Sequence, residues 1–261
     1  MPVLQGVCVT GSQCNAQSGI ILGTCAQGFG ACCAVLVSDC TSQNFQYNGT
    51  YIVNPGYPDT TQTAGTCKYT LVKVNENICR IRLDFVEAVL AYPSTAGLCT
   101  TDYFTASQKT GPTIPPICGV NTGQHIYLDA GAYSDTSATF SAVLTGTSTA
   151  RKWRILVSQI QCSSLTLPPQ GCLQYLVGSI GSIKSFNYDT SSTYEHLSAQ
   201  DYMICVREVG RGRHQRDSLV FQERVRPLQD RLDTVLGHGQ LQAQQARHQL
   251  QRGQRAVPVS E

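Results

Sequence analysis

Thirteen cysteines, every one at or before Cys205, constrain this 261-residue chain more than any other feature. In a cytosolic protein such a density would suggest zinc, but zinc sites use short Cys-x-x-Cys or His-x-x-x-His pairs, and the sequence has none. Disulfides are the simpler reading, and disulfides persist outside the cytosol. Secretion is therefore expected. Met1 to Cys8 shows neither a basic n-region nor a long apolar run, and nowhere do about eighteen apolar residues stand together. No membrane span is expected, and the missing leader points to a mature chain or to a gene assembly that lacks its first exon. The length suits one or two domains able to bury a core without metals.

The chain divides by composition. Residues 1–39 are small and cysteine-dense, with Cys8, Cys14, Cys25 and the vicinal pair Cys32-Cys33 among glycines. So few apolar residues need cross-links in place of a core. They read as a binding knob or, better, as a stapled cap on the domain C-terminal to them. Five is an odd number, so at least one cysteine should pair elsewhere.

Residues 40–162 carry one complete set of strand and turn signals. In Cys79-Ile-Arg-Ile-Arg-Leu-Asp-Phe85 the apolar positions alternate with Arg80, Arg82 and Asp84, the period of a half-buried strand. Further strands are read at Cys67–Leu71, Asp102–Phe104, His125–Asp129, Thr139–Leu144 and Trp153–Ile160. Asn54-Pro-Gly-Tyr-Pro58 is turn chemistry, with Pro55 presetting φ and Gly56 allowing it to be positive. The fold class is all-β, an antiparallel two-sheet sandwich. Residues 163–171 contain Pro168-Pro169 and read as a linker. Cys172 and Gly181–Tyr188 then echo Cys40 and Gly49–Tyr57, so 172–206 reads as a truncated second unit. From 207 to 261 lysine, cysteine and tyrosine vanish and Arg and Gln dominate. Val225, Leu228, Leu232 and Val235 have helical spacing, weakened by Pro227, Gly237 and Gly239. The expectation for this tail is disorder or translation from a shifted frame.

The order Cys40, the Asn54–Pro58 turn, Cys67, Arg82-Leu-Asp-Phe85, Cys99-Thr-Thr-Asp-Tyr103 and Cys118-Gly119 resembles a CUB domain, a jelly-roll-like module of secreted proteins. Ile78–Phe85, Gly123–Tyr127, Trp153–Cys162 and the leading Gly23–Cys33 are similar to CUB proteins abundant in arthropods. The resemblance implies disulfides Cys40–Cys67 and Cys99–Cys118. Cys79 and Cys162 are additional to that set, and their mutual pairing is expected because both lie on core strands. Pairing of Cys8, Cys14, Cys25, Cys32, Cys33, Cys172 and Cys205 stays open. Many CUB domains hold calcium through a Tyr, a Glu and two Asp. Here Asp102 matches one Asp and Asp135 approximates the other, whereas the Glu position falls on Ala91, with Glu87 as the nearby carboxylate. Losing a carboxylate weakens both charge and coordination, so no bound cofactor is expected.

Arg151, Lys152 and Arg154 around the only tryptophan, Trp153, read either as an anionic-ligand patch or as a polar strand face with Trp153 in the core. The shared parity of Trp153, Ile155 and Val157 favours the second. Asn48-Gly-Thr50 is a glycosylation sequon. Residues 1–206 hold nine Lys/Arg against eleven Asp/Glu, too little positive charge for nucleic acid. No Gly-x-Ser-x-Gly elbow, phosphate loop or His-Glu-x-x-His pair is present, and His125 sits within a strand, where a structural hydrogen bond is the expectation. The sequence thus points to a secreted, non-enzymatic module that recognises an extracellular protein or glycan. The alternative is the regulatory arm of a secreted protease whose catalytic domain lies outside this chain.

Overall fold

The computed structural model describes residues 4–40, 43–45, 48–108, 110–131, 137–146, 151–178, 181–188, 197–198, 200–207 and 218–224. All lie within one compact unit, Met1–Val225. In chain order they form β1 (Val7–Val9), helix α1 (Gly11–Ala16), β2 (Ile20–Cys25), β3 (Gly30–Val37), β4 (Gln43–Phe45), β5 (Thr50–Val53), β6 (Gly65–Val72) and β7 (Ile78–Val89). The remaining strands are β8 (Asp102–Ser107), β9 (His125–Asp129), β10 (Ser137–Leu144), β11 (Lys152–Gln161), β12 (Cys172–Leu176), β13 (Asp201–Arg207) and β14 (Ser218–Arg224).

One sheet has β7 and β11 at its centre, flanked by β9 and β5, with β3 beyond β5 and both β1 and β2 paired to β3. The facing sheet runs β4-β6-β10-β8. The alternation in the sequence is what builds the core. Ile81, Leu83 and Phe85 stand opposite Gln159, Val157 and Ile155, and all six are buried. From the other sheet come Cys67, Tyr69 and Leu71, beside Phe140, Ala142 and Leu144. Phe104 closes the contact between the layers, with its ring 5.6 Å from Phe85 and 5.4 Å from Phe140, and edge-on to Trp153 at 6.1 Å. Each such side chain removed from water contributes roughly 1.5–3 kcal/mol. Where Arg154 faces Glu87 and Ile155 faces Phe85, Val86 is an extra residue. This bulge resets the parity of β7, so Ala88 and Leu90 continue the inner face.

The expected turn comes directly after β5, and Gly56 there has φ +77, a conformation favouring glycine. The N-terminal segment is continuous with the sandwich, because β3 runs parallel to β5 from Val35 to Val37. Leu4 and Leu36 pack with Ala34, Tyr51 and Val53 on the outer face of that sheet. Disulfides Cys8–Cys25 and Cys14–Cys33 staple this segment, and Thr10 caps α1 in a reciprocal capping box with Gln13. Cys32 is the one cysteine outside a disulfide, so the odd thiol finds no partner within the chain.

Residues 172–206 share the core of the sandwich. Leu173, Phe186, Leu197, Tyr202 and Ile204 belong to the same buried cluster as Phe85 and Trp153. Disulfide Cys172–Cys205 joins the parallel strands β12 and β13, and Cys172, Tyr175 and Cys205 pack on Tyr127 of β9. Buried Asn187 reaches back to accept the Val120 amide at 3.0 Å, in space that a β-carbon on Gly119 would occupy. Within the Arg/Gln-rich stretch β14 runs antiparallel to β13. Val225, Leu228, Leu232 and Val235, the residues with helical spacing, lie outside the described residues.

Candidate functional site

Strand registers bring three loops to one end of the sandwich. Gly65 and Asp102 both pair with Leu144, and Val89 pairs with Lys152. The loop after β5, the loop before β8 and the connection from β10 to β11 therefore converge there. Arg151 lies at the centre of that end. Its Nε donates to Asp102 Oδ2 at 2.8 Å and Nη2 to Asp102 Oδ1 at 2.9 Å. Nη1 donates to the Gln62 and Thr63 carbonyls at 2.9 and 3.4 Å, and Nη2 also donates to the Gly146 carbonyl. All five guanidinium N–H groups thus meet oxygens from three loops. Asp102 Oδ1 also accepts the amides of Thr145 at 3.1 Å and Gly146 at 3.3 Å. The side chains of both ions are 0 % exposed. Burial alone would raise the Asp102 carboxyl, but hydrogen bonds from Arg151 and from the Gly146 and Thr145 amides, with the Arg151 charge, hold it below the usual carboxylate value.

Around this pair the described loop residues show a mixed surface, which includes the exposed Asp59 of the loop after β5. The side chains of Gln62 and Thr63 are exposed while their carbonyls are held from beneath. Tyr92 and Leu98 are exposed at the loop before β8. Disulfide Cys99–Cys118 fixes that loop on one side. On the other, Ser198 donates its amide to Gly97 at 2.7 Å and its hydroxyl to Ala96 at 2.5 Å.

Of the residues named for calcium, Asp102 has both oxygens engaged by Arg151, and Asp135 lies outside the described residues. Ala91 is buried, its carbonyl accepting from Gly119 at 2.9 Å, and Glu87 pairs with Lys152 at 2.9 Å. Among the described residues no group of three or more His, Cys, Asp or Glu stands together as a metal site. The structure joins Cys40 to Cys67, Cys79 to Cys162 and Cys99 to Cys118. Asn48 is exposed, its Oδ1 accepting the Gln159 amide at 2.8 Å.

The residues around Trp153 make no exposed cationic patch. Trp153 is in the core, Arg151 is in the loop cage, and Arg154 is buried over the ring of Tyr51, 5.9 Å from its centroid. Lys152 is half-buried. His125 has the structural role expected of it, with Nε2 3.1 Å from both the amide nitrogen and the carbonyl oxygen of Tyr175. Arg82, clamped by Asp84 and hydrogen-bonded to Tyr127 at 2.8 Å, neighbours it on the same face.

A family profile described as Animal CUB domain matches residues 169–216. That stretch of the chain is similar to an animal CUB domain. The profile match spans the end of the proline-containing linker and the 172–206 segment, and runs on into the Arg/Gln-rich stretch. Among solved CUB structures, that of the MASP-1 CUB2 domain bound to Ca2+ is 19% identical, over 46% of this chain and 99% of that one, with a TM-score of 0.37. The CUB1-EGF-CUB2 region of human MASP-1/3 is 20% identical over 54% of this chain and 48% of that one, with a TM-score of 0.38. The same three domains of rat MASP-1 are 15% identical over 63% and 64%, with a TM-score of 0.35. Comparison with curated proteins returns no match. No helix among the described residues is long and apolar enough to cross a membrane.

The Asp102–Arg151 pair is the part of the site that the sequence did not announce. A signal for it existed, since Arg151 has the parity of Trp153, Ile155 and Val157 and so falls on their inner face. Arg154 has the opposite parity, and its burial comes from the N-terminal segment covering the outer face.

Proposed function

We propose that this protein works outside the cell as a non-enzymatic recognition module that binds a protein or glycan through the loops at the Arg151 end of its sandwich. The observation that carries this is the convergence of three loops, two held by their backbone carbonyls and the third through Asp102 by one guanidinium, while Gln62, Thr63, Tyr92 and Leu98 are exposed. Binding loops on a rigid scaffold lose little freedom on engagement. The exposed set combines an aromatic ring, an aliphatic side chain and neutral hydrogen-bonding groups, with the Asp59 carboxylate in the same loop as Gln62, a chemistry suited to polar peptide or sugar surfaces. Six disulfides suit the oxidising space outside the cell. The imidazole of His125, taken up by Tyr175 in a buried contact, is not available as a general base.

The test places a photo-crosslinking amino acid at Gln62, at Leu98, or at Val74 beyond the opposite ends of the strands, in the full chain incubated with extracellular fluid. Selective capture of the same species from the Gln62 and Leu98 positions, but not from Val74, is the expected outcome. Equal capture from all three, or labelling of the protein by an active-site-directed hydrolase probe, would count against the reading.

A further inference from the structure

We propose that the Arg151 guanidinium is a tethered cation that fills the centre of this loop end permanently, so that the loops stay ordered whatever the calcium concentration. The inference rests on the loop end being the recognition surface, and it names how that surface is held.

The cage around the guanidinium is what a hard cation would seek: two carboxylate oxygens of Asp102 and the carbonyls of Gln62, Thr63 and Gly146, drawn from three loops. Calcium takes six to eight such oxygens. Here five N–H donors use them instead, in a fork geometry that suits a planar carboxylate. An incoming divalent ion would have to expel a covalently attached monovalent one, and Asp102 alone cannot neutralise both. Among the described residues the other positions that would add carboxylates do not supply one freely, with Glu87 Oε1 on Lys152 and only the backbone of Ala91 at the other. A dissociable ion orders its site only in proportion to its concentration relative to its dissociation constant. A side chain on the neighbouring strand is always present. An arginine also keeps its charge at every pH at which proteins work, and Asp102 is held below its ordinary range, so acidification does not readily open the cage.

The test compares thermal unfolding of the full chain in EGTA and in millimolar calcium chloride, with crosslinking from Gln62 in the same two buffers. The wild-type midpoint should agree within about 1 °C between them. Arg151→Ala should lower it by roughly 6–20 °C, as expected for a buried ion left without its partner, and Arg151→Lys should fall between. Should Arg151→Ala fail to fold, the wild-type comparison decides by itself. A wild-type midpoint raised several degrees by calcium, or an Arg151→Ala midpoint equal to wild type, overturns the proposal. Capture at Gln62 that survives EGTA supports it. Capture lost in EGTA overturns it while leaving the recognition reading intact, whereas no capture in either buffer defeats that reading alone.

Discussion

His125 should make the protein acid-labile in a way that one substitution removes. Burial, with the Arg82 charge next in size, pushes the imidazole down from 6.5 to about 4, while Asp84 and the Tyr175 backbone oppose in part. The unfolded chain takes up this proton near pH 6.5 and the folded chain only near 4, so the unfolded state binds more protons in between. Stability from this group is complete above pH 6.5 and is lost progressively as pH falls toward 4. At 1.36 kcal/mol per unit the whole shift is worth about 3 kcal/mol, of which about 2.5 kcal/mol is gone at pH 4.5. The structural cause is specific: a cationic ring only donates, and would leave the Tyr175 amide facing a donor at 3.1 Å. Urea unfolding followed by the fluorescence of Trp153, the sole tryptophan and fully buried, reads the effect. Between pH 7.5 and 4.5 wild type should lose about 2.5 kcal/mol more than His125→Gln. Parallel curves for the two proteins, within about 0.5 kcal/mol, would refute the reasoning.

The cross-links and the sequon give two further outcomes. Cys79–Cys162 closes a separation of 83 residues and Cys99–Cys118 one of 19, so chain entropy assigns about 4.6 and 3.3 kcal/mol to them. Paired Cys→Ala replacements should lower stability in that order in denaturant titrations, and a reversed order would show that the native contacts, not the unfolded chain, dominate. The protein expressed through a eukaryotic secretory pathway should lose the mass of one glycan on treatment with a peptide N-glycosidase, and Asn48→Gln should lose none; an unchanged wild-type mass removes the modification from Asn48.

What the sequence disclosed depended on how many faces of each strand are covered. β6, β7 and the core half of β11 were legible because apolar and polar residues alternate across a surface buried on one side more than the other. β5 and β12 gave no such signal. Four consecutive residues of β5 are buried, with Ile52 in the main core and Tyr51 and Val53 beneath the N-terminal segment, so no polar beat marks them. β12 likewise lies between β9 and the remainder of its own sheet. The loop cage was hidden for another reason. Its donors and acceptors stand at 62–63, 102, 146 and 151, and no local pattern announces that charges so far apart in sequence will meet out of water.

The position of β11 within its sheet also dictates when the protein can take shape during synthesis. β5 and β7 are neighbours only through β11, a strand made some sixty residues after β7 is complete. Until the ribosome has released Gln161, both carry open backbone edges toward an empty lane, and Phe85 and Leu83 have no Ile155 or Val157 beside them. Nascent chains of this topology need shelter from one another for that interval, and a stop codon placed anywhere before β11 yields adhesive edges instead of a smaller version of the same sandwich.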